Sequence, residues 1–159
     1  MKEEKKQAEE NKKEDSDSDL DVKEPIEEPN KYTENRKHWL DKIREKGDNP
    51  YPHKYQRTHR LDEFYAAFLH RCPEESKGVY LEEVVKVTGR VNSIRSAGKK
   101  LVFYDIVGDE TKLQVQASKA DWKGKGYGRL HNSIKRGDII GVEGNPGRTK
   151  TGEFSIRSF

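Results

Sequence analysis

"KLVFYDIVGDETKLQVQAS", Lys100–Ser118, decides how the rest of the chain is read. Apolar and other side chains alternate on both sides of a short break at Gly108–Glu110, which predicts two strands, Lys100–Val107 and Thr111–Ser118, joined by a tight turn. Alternation sends Val102, Tyr104 and Ile106 to one face, and Leu101, Phe103 and Asp105 to the other. On the next strand Leu113, Val115 and Ala117 share the core face, leaving Lys112, Gln114 and Gln116 outward. Phe103 therefore falls on the polar face although its neighbour Tyr104 faces the core. Only 30% of the residues are apolar and 38% are charged, so a large ring spared from the core is a ring available to a ligand.

Working outward, period-two patterning recurs at Val84–Arg95, Asp138–Asn145 and Gly152–Phe159. The first strand meets the second through the "SAGKK" turn, and a bulge is expected near Gly89. Between the third and fourth strands lies a long connection whose second half, about Tyr127 to Arg136, is amphipathic and ends at Gly137. The fifth strand should bury Phe154 and Ile156 and show Glu153, Ser155 and Arg157. Three meander strands, a helix and two more strands is the order of a five-stranded OB barrel; an SH3-like barrel has no helix at that point. The expected fold is β with helical additions: the barrel over 81–159, its fifth strand cut short, and a helical extension over 31–80 packing on it.

The first 30 residues hold 12 acidic and 6 basic side chains and no aromatic. Such a segment has too little apolar surface to offset chain entropy, so a disordered charged tail is expected over 1–30. The remaining residues carry a net +9, which gives +3 for the whole chain. A helix should follow, with Thr33 as N-cap and Trp39, Leu40 and Ile43 as its apolar stripe, ended by Gly47 and Pro50. Its opposite face carries Arg36, Lys37, Lys42, Arg44 and Lys46, a basic strip suited to auxiliary RNA contact. A second short helix, capped by Thr58 or Asp62, sends Phe64, Ala67 and Phe68 to the core. Cys72 is the single cysteine, which rules out an intramolecular disulfide and argues for a reducing compartment, the cytoplasm. No membrane span is expected. The five histidines lack metal-ligand spacing, "GNPGRTKTG" lacks the Gly-Lys-Ser/Thr signature of a phosphate loop, and no nucleophile–base pair stands out.

OB barrels bind oligonucleotides across the second and third strands and the loops joining strands one to two and four to five. Those loops here hold Lys99, Lys100, Arg148 and Lys150. Charge for phosphate, a ring for stacking and amides for base edges describe a single-stranded nucleic-acid site.

At finer grain, "KGDNPYPHKY" (Lys46–Tyr55), "VTGRVNSIR" (Val87–Arg95), "KLVFYDI" (Lys100–Ile106), "KLQVQA" (Lys112–Ala117) and "RGDIIGVEGNPGRTKTGEFSI" (Arg136–Ile156) closely resemble the anticodon-binding domain of eukaryotic lysyl-tRNA synthetase, a class IIb aminoacyl-tRNA synthetase. The resemblance runs from about Lys31 to Phe159 and implies a site, residue by residue. Phe103 would stack on the central anticodon base, Gln114 and Glu153 would read base edges, and Arg95, at the end of the first strand, would contact the anticodon loop. It also implies that the parent protein is a lysine–tRNA ligase and a homodimer, with ATP and Mg2+ in a catalytic domain that this chain lacks. The fragment itself would be monomeric, non-enzymatic and free of cofactors. The implied partners are the tRNA for lysine and, through the basic helix, proteins of a multi-synthetase complex. Two other functions fit the pattern: a protein-interaction module of such a complex, and a generic single-strand-binding OB domain. One departure is plain: the family's lysine-rich extension is replaced here by an acidic tail.

Overall fold

A computed structural model describes residues 31–159, so the tail expected over 1–30 lies outside the described residues. The chain divides into two compact units between Lys54 and Tyr55, inside the expected 31–80 extension. In the first, α1 spans Tyr32–Glu45, with Lys31 rather than Thr33 at its N-cap. Trp39, Leu40 and Ile43 are its half-buried stripe. Gly47, at φ 83°, turns the chain out of the helix and donates its N–H to Arg44 O at 2.9 Å. Arg44 pairs with Asp41 at 3.0 Å on the exposed side.

The second unit is a closed five-stranded barrel in the order β1-β2-β3-β5-β4: β1 Val85–Ser96, β2 Leu101–Gly108, β3 Thr111–Ser118, β4 Ile139–Arg148 and β5 Phe154–Ser158. All pairs are antiparallel except β3–β5, the parallel pair that closes the cylinder. Closure removes the unpaired edges that β2–β3 alone would expose. The β2–β3 connection is a two-residue turn with Asp109 and Glu110 both left-handed, at φ 50° and 63°. That is the twist a two-residue hairpin needs, though glycine or asparagine is its usual occupant. β4 runs three residues beyond the expected Asn145.

One end of the barrel is closed by α2, Leu61–Phe68, and the 3-10 turn Leu69–Arg71. Phe64 and Phe68 are buried as the helical spacing demanded and Ala67 partly so, joined by Leu61, and the Phe64 and Phe154 centroids are 5.4 Å apart. Neither Thr58 nor Asp62 caps this helix. Arg60 is the N-cap, and its N–H donates to the Glu63 carboxylate at 2.7 Å. Thr58 instead ties the incoming chain to β1, donating its N–H to Lys86 O at 2.8 Å and accepting the Lys86 N–H on its hydroxyl at 2.9 Å.

The third helix, α3, is Tyr127–Ser133, shorter than the pattern implied. Gly137 lies beyond it as a separate turn at φ 95°, bonding through its N–H to Val91 O. This helix lays His131 over the inward-facing Tyr104, and Tyr127 and the preceding Trp122 pack around the His131 ring. The Tyr104 hydroxyl and His131 Nδ1 share a hydrogen bond of 2.6 Å, and the Tyr127 and His131 rings are 4.2 Å apart. Burial pushes the His131 imidazole down to about 4 and the Tyr104 phenol up, so both are neutral and the bond between them holds.

Candidate nucleic-acid interface

Strand parity and pairing together lay out the outer face. Across β1, β2, β3 and β5 the register aligns Arg95, Phe103, Gln116 and Arg157 in one row. The next row is Ser93, Asp105, Gln114 and Ser155. Cross-strand neighbours in such rows lie about 4.5–5.5 Å apart at Cβ.

Arg95 reaches its row because of a bulge. β1 slips by one residue between Val91 and Ser93, not near Gly89, where a Cβ would press on the inward Ile106 side chain. Val85, Val87 and Val91 face inward before the slip; after it, Ser93 and Arg95 join the outer face. The Arg95 guanidinium then sits 5.1 Å from the centre of the half-buried Phe103 ring. Such an arrangement holds a ring flat by cation–π attraction.

In the second row Ser93 donates its hydroxyl to Asp105 at 2.7 Å, and Lys112 reaches the same carboxylate at 3.0 Å. Burial raises the Asp105 carboxyl, but the Ser93 bond, the Lys112 ammonium and Arg95 together bring it below its ordinary value. It is a fixed negative charge.

Gln114 lies on this face as parity implied, but it is covered: only 8% of it is exposed. Its amide makes no hydrogen bond to a described residue. Ser155, expected to be shown outward, is fully buried. The reason is Tyr80, which crosses the outer face from a short segment bridged to β4 at Gly147. Only glycine tolerates that approach, since a Cβ there would strike Val79 O and the Tyr80 ring. The Tyr80 hydroxyl donates to Gln116 Oε1 at 2.8 Å and lies 3.4 Å from Ser155 Oγ, and the Arg157 guanidinium packs 4.6 Å over its ring. Nothing in the local pattern around Tyr80 signalled this crossing.

The turn cations divide. Lys99 and Lys100 are exposed in a turn closed by Ala97 N–H to Leu101 O at 2.8 Å, just beyond the Phe103 row. Lys150 is exposed in the β4–β5 turn, at the other end of the face. Arg148 differs from the loop cation the pattern suggested. It ends β4, half-buried, and donates Nε to Cys72 O at 2.8 Å and Nη1 to Gly152 O at 2.7 Å. Those bonds clamp the turn that carries Glu153, whose exposed side chain lines a groove with Glu74, Lys77 and Arg148. The basic side chains Arg36, Lys37, Lys42, Arg44 and Lys46 belong to the other compact unit.

Among the described residues no cluster of His, Cys, Asp and Glu could hold a metal ion, and no helix is long and apolar enough to cross a membrane.

The comparisons bear on what this face recognises. A family model described as an OB-fold nucleic acid binding domain, of the tRNA anticodon type, matches residues 85–158. A lysine–tRNA ligase of Cladosporium cladosporioides is 36% identical over 131 residues, covering 79% of this chain and 21% of that protein. Lysine–tRNA ligases of Sulfolobus acidocaldarius and Magnetococcus marinus are 33% and 34% identical, covering 80% and 82% of this chain and 24% and 25% of theirs. The chain thus spans about a fifth to a quarter of the length of the curated relatives it matches. Residues 85–158 thus match the anticodon-binding OB-fold domains, and the chain is similar to lysine–tRNA ligases over the part of them that it spans.

Proposed function

We propose that this chain is the anticodon-recognition portion of a lysine–tRNA ligase and that its outer β1–β2–β3–β5 face binds the U-rich anticodon loop of the tRNA for lysine. The observation that carries this reading is Phe103, half-buried on the outer face, with the Arg95 guanidinium over its ring and Gln116 directly across from it. A base slides onto the ring, with stacking worth about 1–3 kcal/mol per base. Gln114, with no protein partner for its amide among the described residues, and the exposed Glu153 supply hydrogen bonds to base edges; uracil offers one donor and two acceptors. Arg95 holds the ring and adds charge toward the loop backbone. Lys99, Lys100 and Lys150 serve as phosphate contacts, while Arg148 acts mainly by holding the β4–β5 turn. On this reading the whole protein would join lysine to tRNA with ATP and Mg2+, and the residues described here would serve recognition rather than that chemistry.

The test is a titration of the chain with RNA hairpins bearing UUU or an unrelated triplet at the loop centre, followed by backbone amide shifts. Preference for UUU, with shifts concentrated on β1–β3 and β5, supports the reading. Equal binding of any single strand would reduce the chain to a generic OB binder, and binding without shifts on this face would displace the site.

A further inference from the structure

The Phe103 row continues past the ring in a way the proposed site does not use. Gln116 is the direct cross-strand neighbour of Phe103, and Arg157 is the direct neighbour of Gln116. Tyr80 stands over both, donating its hydroxyl to Gln116 Oε1 at 2.8 Å while its ring supports the Arg157 guanidinium at 4.6 Å. A glutamine amide has an acceptor end and a donor end. With Oε1 turned to Tyr80, the acceptor end of the Gln116 amide is held there, and its Nε2–H donors are left for a ligand. Burial pushes the Tyr80 phenol up, so it stays protonated and has a proton to give to Gln116 Oε1. Arg157, also planar and with no acceptor, extends the donor surface beside it. Of the two β3 glutamines on this face, only Gln116 has its polarity set by a protein partner among the described residues.

Resting on the proposed anticodon reading, we propose that Tyr80, Gln116 and Arg157 form a second base-binding subsite, next to the Phe103 ring. There Gln116 Nε2 donates to the O4 carbonyl of a uracil neighbouring the stacked base, and Tyr80 is the positioning residue that fixes the amide's polarity. Cytosine presents an N4 amino donor where uracil presents the O4 acceptor, so an amide held with its donor end toward the base discriminates between them. Donor would face donor.

The experiment uses the full chain and four hairpin RNAs: UUU at the loop centre, and the three loops with one U replaced by C. The expected result for the unaltered protein includes a preference of roughly 3- to 10-fold for U over C at the position read by Gln116, the range of one neutral hydrogen bond. Tyr80→Phe keeps the ring under Arg157 but lets the amide turn over, and should bring the preference at that one position to about 2-fold or less. Gln116→Glu, acceptor-only when ionised, should abolish or invert it at the same position, favouring C. Melting curves of both variants check that the barrel persists. An unchanged U-over-C preference in both variants, or an equal loss of affinity on all four hairpins, overturns the subsite. Phe103→Ala separates this failure from that of the underlying reading. If Phe103→Ala weakens UUU binding while the Gln116 and Tyr80 variants leave discrimination intact, only the second subsite falls. If Phe103→Ala changes nothing, the base-binding face falls with it.

Discussion

Phe103 and Tyr104 are consecutive aromatics on one strand, and they serve opposite regions of the molecule. Tyr104 is 1% exposed, its hydroxyl bonded to His131 and its ring stacked near the same imidazole under α3. Phe103 lies half-buried on the outer face, with the Arg95 guanidinium over its ring. One ring stabilises the barrel and the other is kept for a ligand. The lesson is that residue type settles neither role. Strand parity makes the division, and the partners on each side make it permanent.

The sharpest way to break this comparison is to truncate each ring in turn. Tyr104→Ala should cost about 3–5 kcal/mol of folding stability, the range for a buried aromatic reduced to alanine, while RNA affinity per folded molecule stays unchanged. Denaturant titration and RNA binding on the same sample check both halves. Phe103→Ala should do the reverse, weakening binding of a UUU hairpin by roughly 5- to 150-fold, equivalent to about 1–3 kcal/mol of stacking, with little change in melting temperature. A large loss of stability with unaltered affinity would make Phe103 a packing residue and dissolve the contrast.

A pH series sharpens the interior side. His131 is held neutral in the fold at about 4, below its ordinary 6.5, by burial. The unfolded chain therefore binds a proton that the folded chain refuses between those values, and stability must fall as the pH is lowered through that window. The loss should be about 1–2 kcal/mol, allowing for solvent screening of a partly exposed ring. It should disappear in His131→Gln, measured by denaturation at pH 7 and pH 4.5. The smallest effect belongs to the outer face. Neutralising Lys99 or Lys100 should reduce the slope of log affinity against log salt by about 0.7 per charge and lower affinity about equally for matched and unmatched hairpins. A changed base preference instead would make that lysine a reader of bases.

Much of this was legible in the chain itself. Period-two patterning over Leu101–Ser118 determined the inward and outward sets on β2 and β3, and hence that Phe103 and Gln116 face out while Tyr104 and Val115 face in. The spacing of Phe64, Ala67 and Phe68 determined a helix that packs on the core. Both follow from local geometry, because side-chain direction along a strand or helix is set by the backbone period. The tertiary structure alone decided that Gln114 and Ser155 are covered, that Arg148 is spent on the Cys72 and Gly152 carbonyls, and that Arg95 lies over Phe103. Each depends on segments far apart in sequence: Tyr80 crossing to Gln116, Cys72 reaching β4, and a one-residue slip in β1 against β2. A period reports which way a side chain points. What it meets there is fixed by chain closure and register, which no local pattern encodes.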